Sequence, residues 1–83
     1  MTRIKTLLKN SIVKENKEIT SKRGNKYFIT VVENEGNEIS LYNPSCLEFE
    51  TNHVYDLELE VIISKYSNIK ILSSNEVKKG LFK

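Results

Sequence analysis

A two-residue alternation over residues 55–63 is the feature that most limits how this chain can fold. Every second residue there is apolar and the intervening positions begin with three acids, so that Tyr55, Leu57, Leu59, Val61 and Ile63 alternate with Asp56, Glu58 and Glu60. Successive side chains of a β-strand point to opposite faces. The pattern therefore predicts a strand with one face on a core and the other in water.

Three further segments favour strands for similar reasons. Residues 26–33 are rich in β-branched and aromatic side chains, and residues 38–42 and 68–71 alternate as 55–63 do. Turns are predicted between them, at 22–25 and 34–37, where Gly and Asn accept the positive φ of hairpin loops, and at 43–45 and 64–68.

The first third of the chain is open to two interpretations. A long, bent first strand over roughly residues 5–21 is predicted, because the run from Ser11 to Ile19 carries no helix cap and leads into the first turn. However, Ile4, Leu7, Leu8 and Ile12 also recur at helical spacing, which leaves a short helix at the start as the alternative.

Together these segments predict an all-β chain of five strands. Its 83 residues allow a single domain, 1–83, with residues 73–83 expected to form a flexible basic tail. A sheet this small protects its edges best by closing on itself. A five-stranded barrel with a long, curved first strand is the OB-like plan, and an SH3-like barrel is the alternative.

Little in the chain suggests catalysis. Cys46 and His53 are the only thiol and the only imidazole, a zinc site needs three or four ligands, and Gly24 and Gly36 are isolated turn residues rather than a phosphate-binding loop. We therefore expect a protein that is not an enzyme, with no metal, no cofactor and no small-molecule substrate. The single cysteine and the lack of a long apolar run favour a cytoplasmic location without membrane contact.

Charge is segregated along the chain. Residues 1–27 carry eight bases and two acids, residues 28–64 carry eight acids and no base, and residues 65–83 carry five bases and one acid. This distribution suggests a basic side and an acidic side on the folded molecule.

Two stretches carry a resemblance to a known family. They are the run from Thr20 to Phe28 (TSKRGNKYF) and the run from Glu33 to Ile39 (ENEGNEI). They resemble the first two hairpins of small single-stranded-DNA-binding proteins of phages and mobile elements, over about residues 12–72. The resemblance implies an OB fold, sequence-tolerant binding of single strands during DNA replication or transfer, and a homodimer. Cellular members often end in an acidic tail, whereas this chain ends in a basic one.

Binding a single strand without reading its sequence requires cations along the backbone and aromatic rings that stack on bases. Candidates on the predicted hairpins and strands are Lys22, Arg23, Lys26, Phe28, Tyr42, Lys65, Tyr66 and Lys70. Phe28 shares a predicted face with Lys26 and Thr30, and Tyr27 lies on the opposite face, so only one of the two rings can accompany Tyr42. RNA is a possible ligand as well.

A second hypothesis concerns the acids of residues 55–63. Asp56, Glu58 and Glu60 would repel phosphate, so in a nucleic-acid-binding barrel they should lie on the far side from the strand. If they form a surface of their own, the chain is instead a protein–protein adaptor or a host-factor inhibitor that docks a basic partner on this acidic face.

Overall fold

The computed structural model describes residues 2–65 and 68–77. This part of the chain forms five strands and no helix: β1 (Thr2–Thr20), β2 (Lys26–Asn34), β3 (Asn37–Asn43), β4 (Val54–Ile63) and β5 (Asn68–Glu76). The predicted all-β class and the predicted strand order along the chain are confirmed. β5 continues to Glu76, so the first residues assigned to the tail, from Ser73 onward, belong to a strand.

The five strands close into a barrel in the order β1-β2-β3-β5-β4. β1 pairs with β2 through its second half and with β4 through its first half, and both pairings are antiparallel. The barrel closes through a parallel contact between β3 and β5, where Tyr42 lies opposite Lys70. A long first strand shared between two neighbours is the OB-like arrangement that the sequence predicted.

β1 spans the barrel because it bends at two points. Asn10 has a positive φ of 58°, and the register with β4 shifts between Leu8 and Ser11. Asn tolerates this left-handed conformation better than most residues, and its backbone N–H donates to the carboxylate of Asp56 at 2.9 Å. A second shift, against β2, lies between Val13 and Glu15. Bulges of this kind bend a strand and increase its twist.

The helix considered for the start of the chain is wrong. Residues 2–8 pair with β4 one for one, from Thr2 opposite Ile63 to Leu8 opposite Leu57. Ile4 and Leu7 lie on opposite faces of this strand and are 48% and 55% exposed. The apolar residues at helical spacing therefore do not form one stripe on a core, because Ile4 and Leu7 are exposed whereas Leu8 packs against the core.

The core fills the inside of the barrel with side chains from all five strands. Its buried members are Val13, Val32, Leu41, Tyr55, Leu57, Leu59 and Ile71. The connection between β3 and β4 covers one end, where the Phe49 ring meets the Tyr55 ring edge to face at 4.9 Å. The backbone N–H of Glu50 donates to the Tyr55 hydroxyl at 2.9 Å, which satisfies the polar end of this buried ring.

A buried polar group fixes where the chain leaves β3. Asn43 is fully buried, and its amide nitrogen donates to Thr30 Oγ1 at 3.2 Å and to the carbonyl of Leu47 at 2.9 Å. The N–H of Leu47 returns a hydrogen bond to Asn43 Oδ1 at 3.0 Å, and Thr30 donates to Asn16. The network links β1, β2 and β3 to the following loop, so each buried polar group has a partner.

The predicted alternation of β4 holds only for its first part. Tyr55, Leu57 and Leu59 are buried as expected, but Glu60 is only 8% exposed and Ile63 is 45% exposed. A register shift against β5 between Glu58 and Leu59 interrupts the regular ladder. Glu60 tolerates its position because Arg3 reaches its carboxylate at 3.7 Å across the β1–β4 pair.

Candidate nucleic-acid interface

Tyr27 and not Phe28 lies on the outer face of β2, which is the reverse of the orientation that was preferred from the sequence for stacking on bases. Thr30 and Val32 are fully buried, which assigns their face, and with it Phe28, to the inside of the barrel. Tyr27, Ile29 and Val31 therefore lie outside. Phe28 and its neighbour Tyr27 point to opposite faces of the strand, and Tyr27 lies outside. The expectation that Phe28 stacks beside Tyr42 on the outer face is therefore wrong.

Tyr27 takes the position that had been assigned to Phe28. Its ring contacts the ring of Tyr42 with centroids 5.4 Å apart and planes at 72°, an edge-to-face pair. Tyr42 lies opposite Ile29 in the β2–β3 register, so the pair and Ile29 share one surface. All three side chains are half-buried. The outward position predicted for Tyr42 is confirmed.

Lys70 completes this surface from the neighbouring strand. Ile69 packs against the core and Ile71 belongs to it, so Lys70 between them points outward. It lies opposite Tyr42 in the parallel β3–β5 contact. We call the set of Tyr27, Ile29, Tyr42 and Lys70 the aromatic face. It brings two of the predicted site residues, Tyr42 and Lys70, to one place.

Lys22 and Arg23 lie at the exposed tip of the β1–β2 hairpin. Gly24 adopts a φ of 88° in this turn, and its N–H donates to the carbonyl of Ser21 at 2.9 Å. The turn is closed again by the N–H of Ser21, which donates to the carbonyl of Asn25 at 2.8 Å. Both cations are thus carried on a defined turn that extends beyond the core.

Lys26 is an exposed cation at the start of β2. Its ammonium lies 3.6 Å from the carboxylate of Glu18 on β1, and both side chains are more than half exposed. Lys26 shares its face of β2 with Phe28, so these two residues lie on the other side of the strand from Tyr27. An exposed pair of this kind contributes little stability and leaves the lysine able to exchange partners.

Two predicted site residues belong to the connection between β4 and β5. Lys65 is exposed there. Tyr66 lies outside the described residues, so the proposal that its ring meets a base stays a prediction.

Two of the three acids of β4 face a cleft on a different part of the outer surface. The cleft has a volume of about 440 Å³ and is lined by Lys5, Thr6, Leu7, Asp56, Glu58, Ser73 and Asn75, which we call the acidic cleft. Ser73 donates to the carboxylate of Glu58 at 3.0 Å. In the barrel order β4 is separated from β3 by β5, so Asp56 and Glu58 are away from the aromatic face.

Glu60 does not fit the expectation that all three acids lie remote from the site. It is the cross-strand partner of Lys70, which in turn lies opposite Tyr42. Two strand spacings of about 4.8 Å separate its backbone from that of Tyr42. Glu60 is therefore a neighbour of the aromatic face, with Arg3 partly neutralising it.

The only histidine is held between two carboxylates. His53 Nδ1 lies 2.6 Å from Glu76 Oε2, and its Nε2 lies 3.7 Å from Glu50 Oε1. The hydrogen bond with Glu76, together with the charge of Glu50, raises the pKa of His53 above its usual value. This contact joins the end of β5 to the loop before β4.

Within residues 2–65 and 68–77, no three His, Cys, Asp or Glu side chains are grouped so that they could hold a metal ion. The part of the chain that the structure describes also contains no helix of the length and apolarity needed to cross a membrane.

Tyr27 and Ile29 are the members of the aromatic face that sequence reasoning did not select. Residues 27–32 are all apolar or β-branched, so β2 has no alternation from which its two faces could be read. The burial of Thr30, a polar residue, depends on Asn16 and Asn43 and has no local signal.

Comparisons of the chain with protein-family models, with curated proteins and with solved structures found no match.

Proposed function

We propose that this protein binds single-stranded DNA with little sequence preference, by stacking bases on the aromatic face and pairing phosphates with nearby lysines and arginine. The observation that carries the proposal is the Tyr27–Tyr42 pair on the outside of the barrel with Lys70 beside it. Such rings combined with cations are what sequence-tolerant binding of a single strand requires. The proposed setting is DNA replication or transfer in a phage or mobile element.

The geometry of the pair supports this use. The edge-to-face contact restricts the rotation of both rings before a base binds. Stacking a base on either ring therefore costs little additional side-chain entropy. Stacking of one base on an aromatic side chain contributes about 1–3 kcal/mol. Every base has a π-face, so the interaction does not depend on sequence. The alternative, that the two rings merely cover the outer surface of the sheet, predicts no loss of binding when one is removed.

The cations lie on two sides of the aromatic face. Lys70 is adjacent to Tyr42 on β5, and Lys22 and Arg23 lie at the tip of the hairpin whose second strand carries Tyr27. A single strand that crosses the rings can therefore meet cations along its path. A duplex keeps its bases stacked on each other, so it can use the cations but not the rings.

The test is a fluorescence anisotropy titration of labelled oligonucleotides. The ligands are a mixed-sequence single-stranded DNA, the same sequence as RNA, and the DNA duplex. The intact chain should bind the single-stranded DNA most tightly. Tyr27→Ala and Tyr42→Ala should each weaken binding roughly 5- to 150-fold, which corresponds to about 1–3 kcal/mol.

Tyr42→Phe is the matched control, because it keeps the ring and removes only the hydroxyl. It should bind almost as well as the unaltered chain. Equal affinity for single strand and duplex, or unchanged binding by both alanine variants, would contradict the proposal.

The adaptor is the second candidate function, and the acidic cleft is the observation that favours it. A basic segment of a partner protein is the ligand that Asp56 and Glu58 would attract. The two candidates rank the same variants oppositely. Glu58→Gln should abolish partner capture by the adaptor, whereas it should leave DNA binding intact.

A further inference from the structure

Cross-strand neighbours continue the aromatic face across the outside of the barrel. Tyr42 on β3 lies opposite Lys70 on β5. Lys70 in turn lies opposite Glu60 on β4, and Glu60 lies opposite Lys5 on β1. Residues directly opposite each other in a sheet share a face, so these four side chains form one row across four strands. With strands about 4.8 Å apart, the row extends roughly 14 Å beyond Tyr42.

The acid in this row is buried, whereas two of the cations beside it are exposed. Glu60 is 8% exposed, and the guanidinium of Arg3 lies 3.7 Å from its carboxylate. That distance makes the contact an ion pair and not a hydrogen bond, so Glu60 leaves the five N–H donors of Arg3 unused. The Arg3 side chain is 58% exposed, and Lys5 is exposed as well. A ligand that follows the row from Tyr42 therefore meets accessible cations around a covered carboxylate.

At the other end of the row, the cation has an exposed acid beside it. Ile29, which lies opposite Tyr42, is the cross-strand partner of Lys17 on the second half of β1. The ammonium of Lys17 lies 3.9 Å from the carboxylate of Glu15, and both side chains are more than half exposed. A phosphate there would meet a carboxylate as accessible as the lysine. The charges therefore favour a phosphate at the first half of β1.

We propose that Arg3 and Lys5 form a phosphate site for the single strand whose base stacks on Tyr42. The inference rests on the proposed function and adds to it the path of the strand, from the aromatic face over β5 and β4 to the first half of β1. The guanidinium of Arg3 can bind two phosphate oxygens at once, and Lys5 adds a point charge on the same face. Contacts to phosphate carry no sequence information, in keeping with sequence-tolerant binding.

Lys5 marks the border between this site and the acidic cleft. Glu58 is the next outward residue of β4 beside Glu60, and it lines the cleft with Leu7, its cross-strand partner on β1. The carboxylate of Glu58 would repel phosphate. Arg3 lies on the other side of Lys5 from Leu7, so the bound strand is directed across β4 on the Arg3 side and away from the cleft.

The test is the salt dependence of anisotropy titrations with labelled, mixed-sequence single-stranded DNA. Arg3→Gln with Lys5→Gln removes two charges and keeps polar side chains. It should make the slope of log K against log salt shallower by about 1.4, because each phosphate contact on a single strand contributes about 0.7. A slope equal to that of the unaltered chain would overturn the proposal.

Lys9→Gln with Lys14→Gln is the matched control, because it removes two charges from the same strand outside the row. Asn34 donates to the carbonyl of Lys9 at 2.8 Å, and the ammonium of Lys14 lies 3.4 Å from the carboxylate of Glu33. Both lysines thus lie near the end of β2 that is remote from Tyr27. The control should keep the slope of the unaltered chain. Equal shallowing in both variants would overturn the site, because the cations would then act only through net charge.

Lys5→Gln alone keeps the test decisive if loss of Arg3 unfolds the chain. This variant leaves the ion pair of Arg3 with Glu60 in place. It should make the slope shallower by about 0.7, for the loss of one phosphate contact. An unchanged slope for this folded variant would overturn the site.

Tyr42→Ala separates the path of the strand from the proposed function. Because a stacked base releases no counterions, this variant should bind more weakly than the unaltered chain but with the same slope. No affinity of the unaltered chain for single-stranded DNA would overturn both the function and the site. Weaker binding by Tyr42→Ala, together with an unchanged slope for the variant that lacks Arg3 and Lys5, would overturn the site alone.

Discussion

Asn43 illustrates how much of this fold depends on one side chain. Its amide binds both the N–H and the carbonyl of Leu47 inside the barrel and also meets Thr30. Asn43→Ala should leave the two Leu47 groups without partners, at a cost of about 1–3 kcal/mol each. Urea unfolding should show a lower midpoint. Asn37→Ala, at an exposed position on the same strand, is the control and should have little effect.

His53 should make the stability of the protein depend on pH. Glu76 and Glu50 raise its pKa in the folded state, so folding binds its proton more tightly than the unfolded chain does. The stabilisation is fully present below the unfolded value of about 6.5 and is lost as pH rises through the higher folded pKa. Urea midpoints measured from pH 5.5 to 8.5 should therefore fall.

Glu76→Gln should flatten that dependence, because it removes the charged hydrogen-bond partner that contributes most to the raised pKa of His53. A midpoint that rises over the same pH range would contradict the assignment. Neither contact was predicted from the sequence. His53 and Glu76 lie on different elements, and no local pattern joins a loop residue to the end of a later strand.

The cations of the β1–β2 hairpin should make the affinity for single-stranded DNA depend on salt concentration. If three to five of the cations meet phosphates, log K against log salt should have a slope of roughly −2 to −3.5, from about −0.7 for each phosphate on a single strand. Lys22→Ala with Arg23→Ala should make this slope shallower by about 1.4. Titrations at several salt concentrations measure it.

Glu58→Gln is the control for the hairpin. It alters a charge of the acidic cleft, away from the aromatic face, and should leave the salt slope nearly unchanged. Glu60 is unsuitable for this purpose because it adjoins Lys70. A slope near zero in the unaltered chain would remove the case for phosphate contacts.

Strand positions were predictable from the sequence, whereas the faces of the strands were predictable only in part. In β4, the acids that alternate with apolar residues show which face lies in solvent, and they do so correctly as far along the strand as Glu58. β2 has no such marker, and the choice between Tyr27 and Phe28 is decided by the burial of Thr30 in a network that spans three strands. The bend of β1 at Asn10 likewise depends on a distant carboxylate, Asp56.

For the whole molecule, we predict a homodimer at micromolar concentration. Among the residues that the structure describes, Thr2–Leu8 pair with β4 and with no second strand, because the pairing of β1 with β2 begins at Ile12. The other edge of this stretch thus has no strand partner within the described residues, and Ile4 and Leu7 on it are exposed. Open edges of this kind favour pairing with another chain.

Light scattering should return twice the mass of one chain, and Ile4→Lys should shift the mass toward the monomer. Ser40→Lys, which adds the same charge at an exposed position of β3, is the control and should remain dimeric. A monomer mass for the unaltered chain at the highest attainable concentration would contradict the prediction.

The segregation of charge along the chain does not become two separate sides of the molecule. Pairing places the basic first half of β1 directly against the acidic β4, with Lys5 opposite Glu60. Arg3 with Glu60, and Lys14 with Glu33, form ion pairs between the basic and the acidic parts of the chain. Charge counts could not predict this, because it follows from which strands become neighbours.

The sharing of β1 between two neighbours also sets the order in which the chain can assemble. The second half of β1 pairs with β2, which follows it directly, but the partner of Thr2 is Ile63. During synthesis on the ribosome, the first half of β1 must therefore wait for its partner until β4 has emerged. Pairings between residues so far apart in the chain form slowly. The stretch that carries Ile4 and Leu7 thus stays unpaired for longer than the second half of β1, and during that time it is exposed to misassociation.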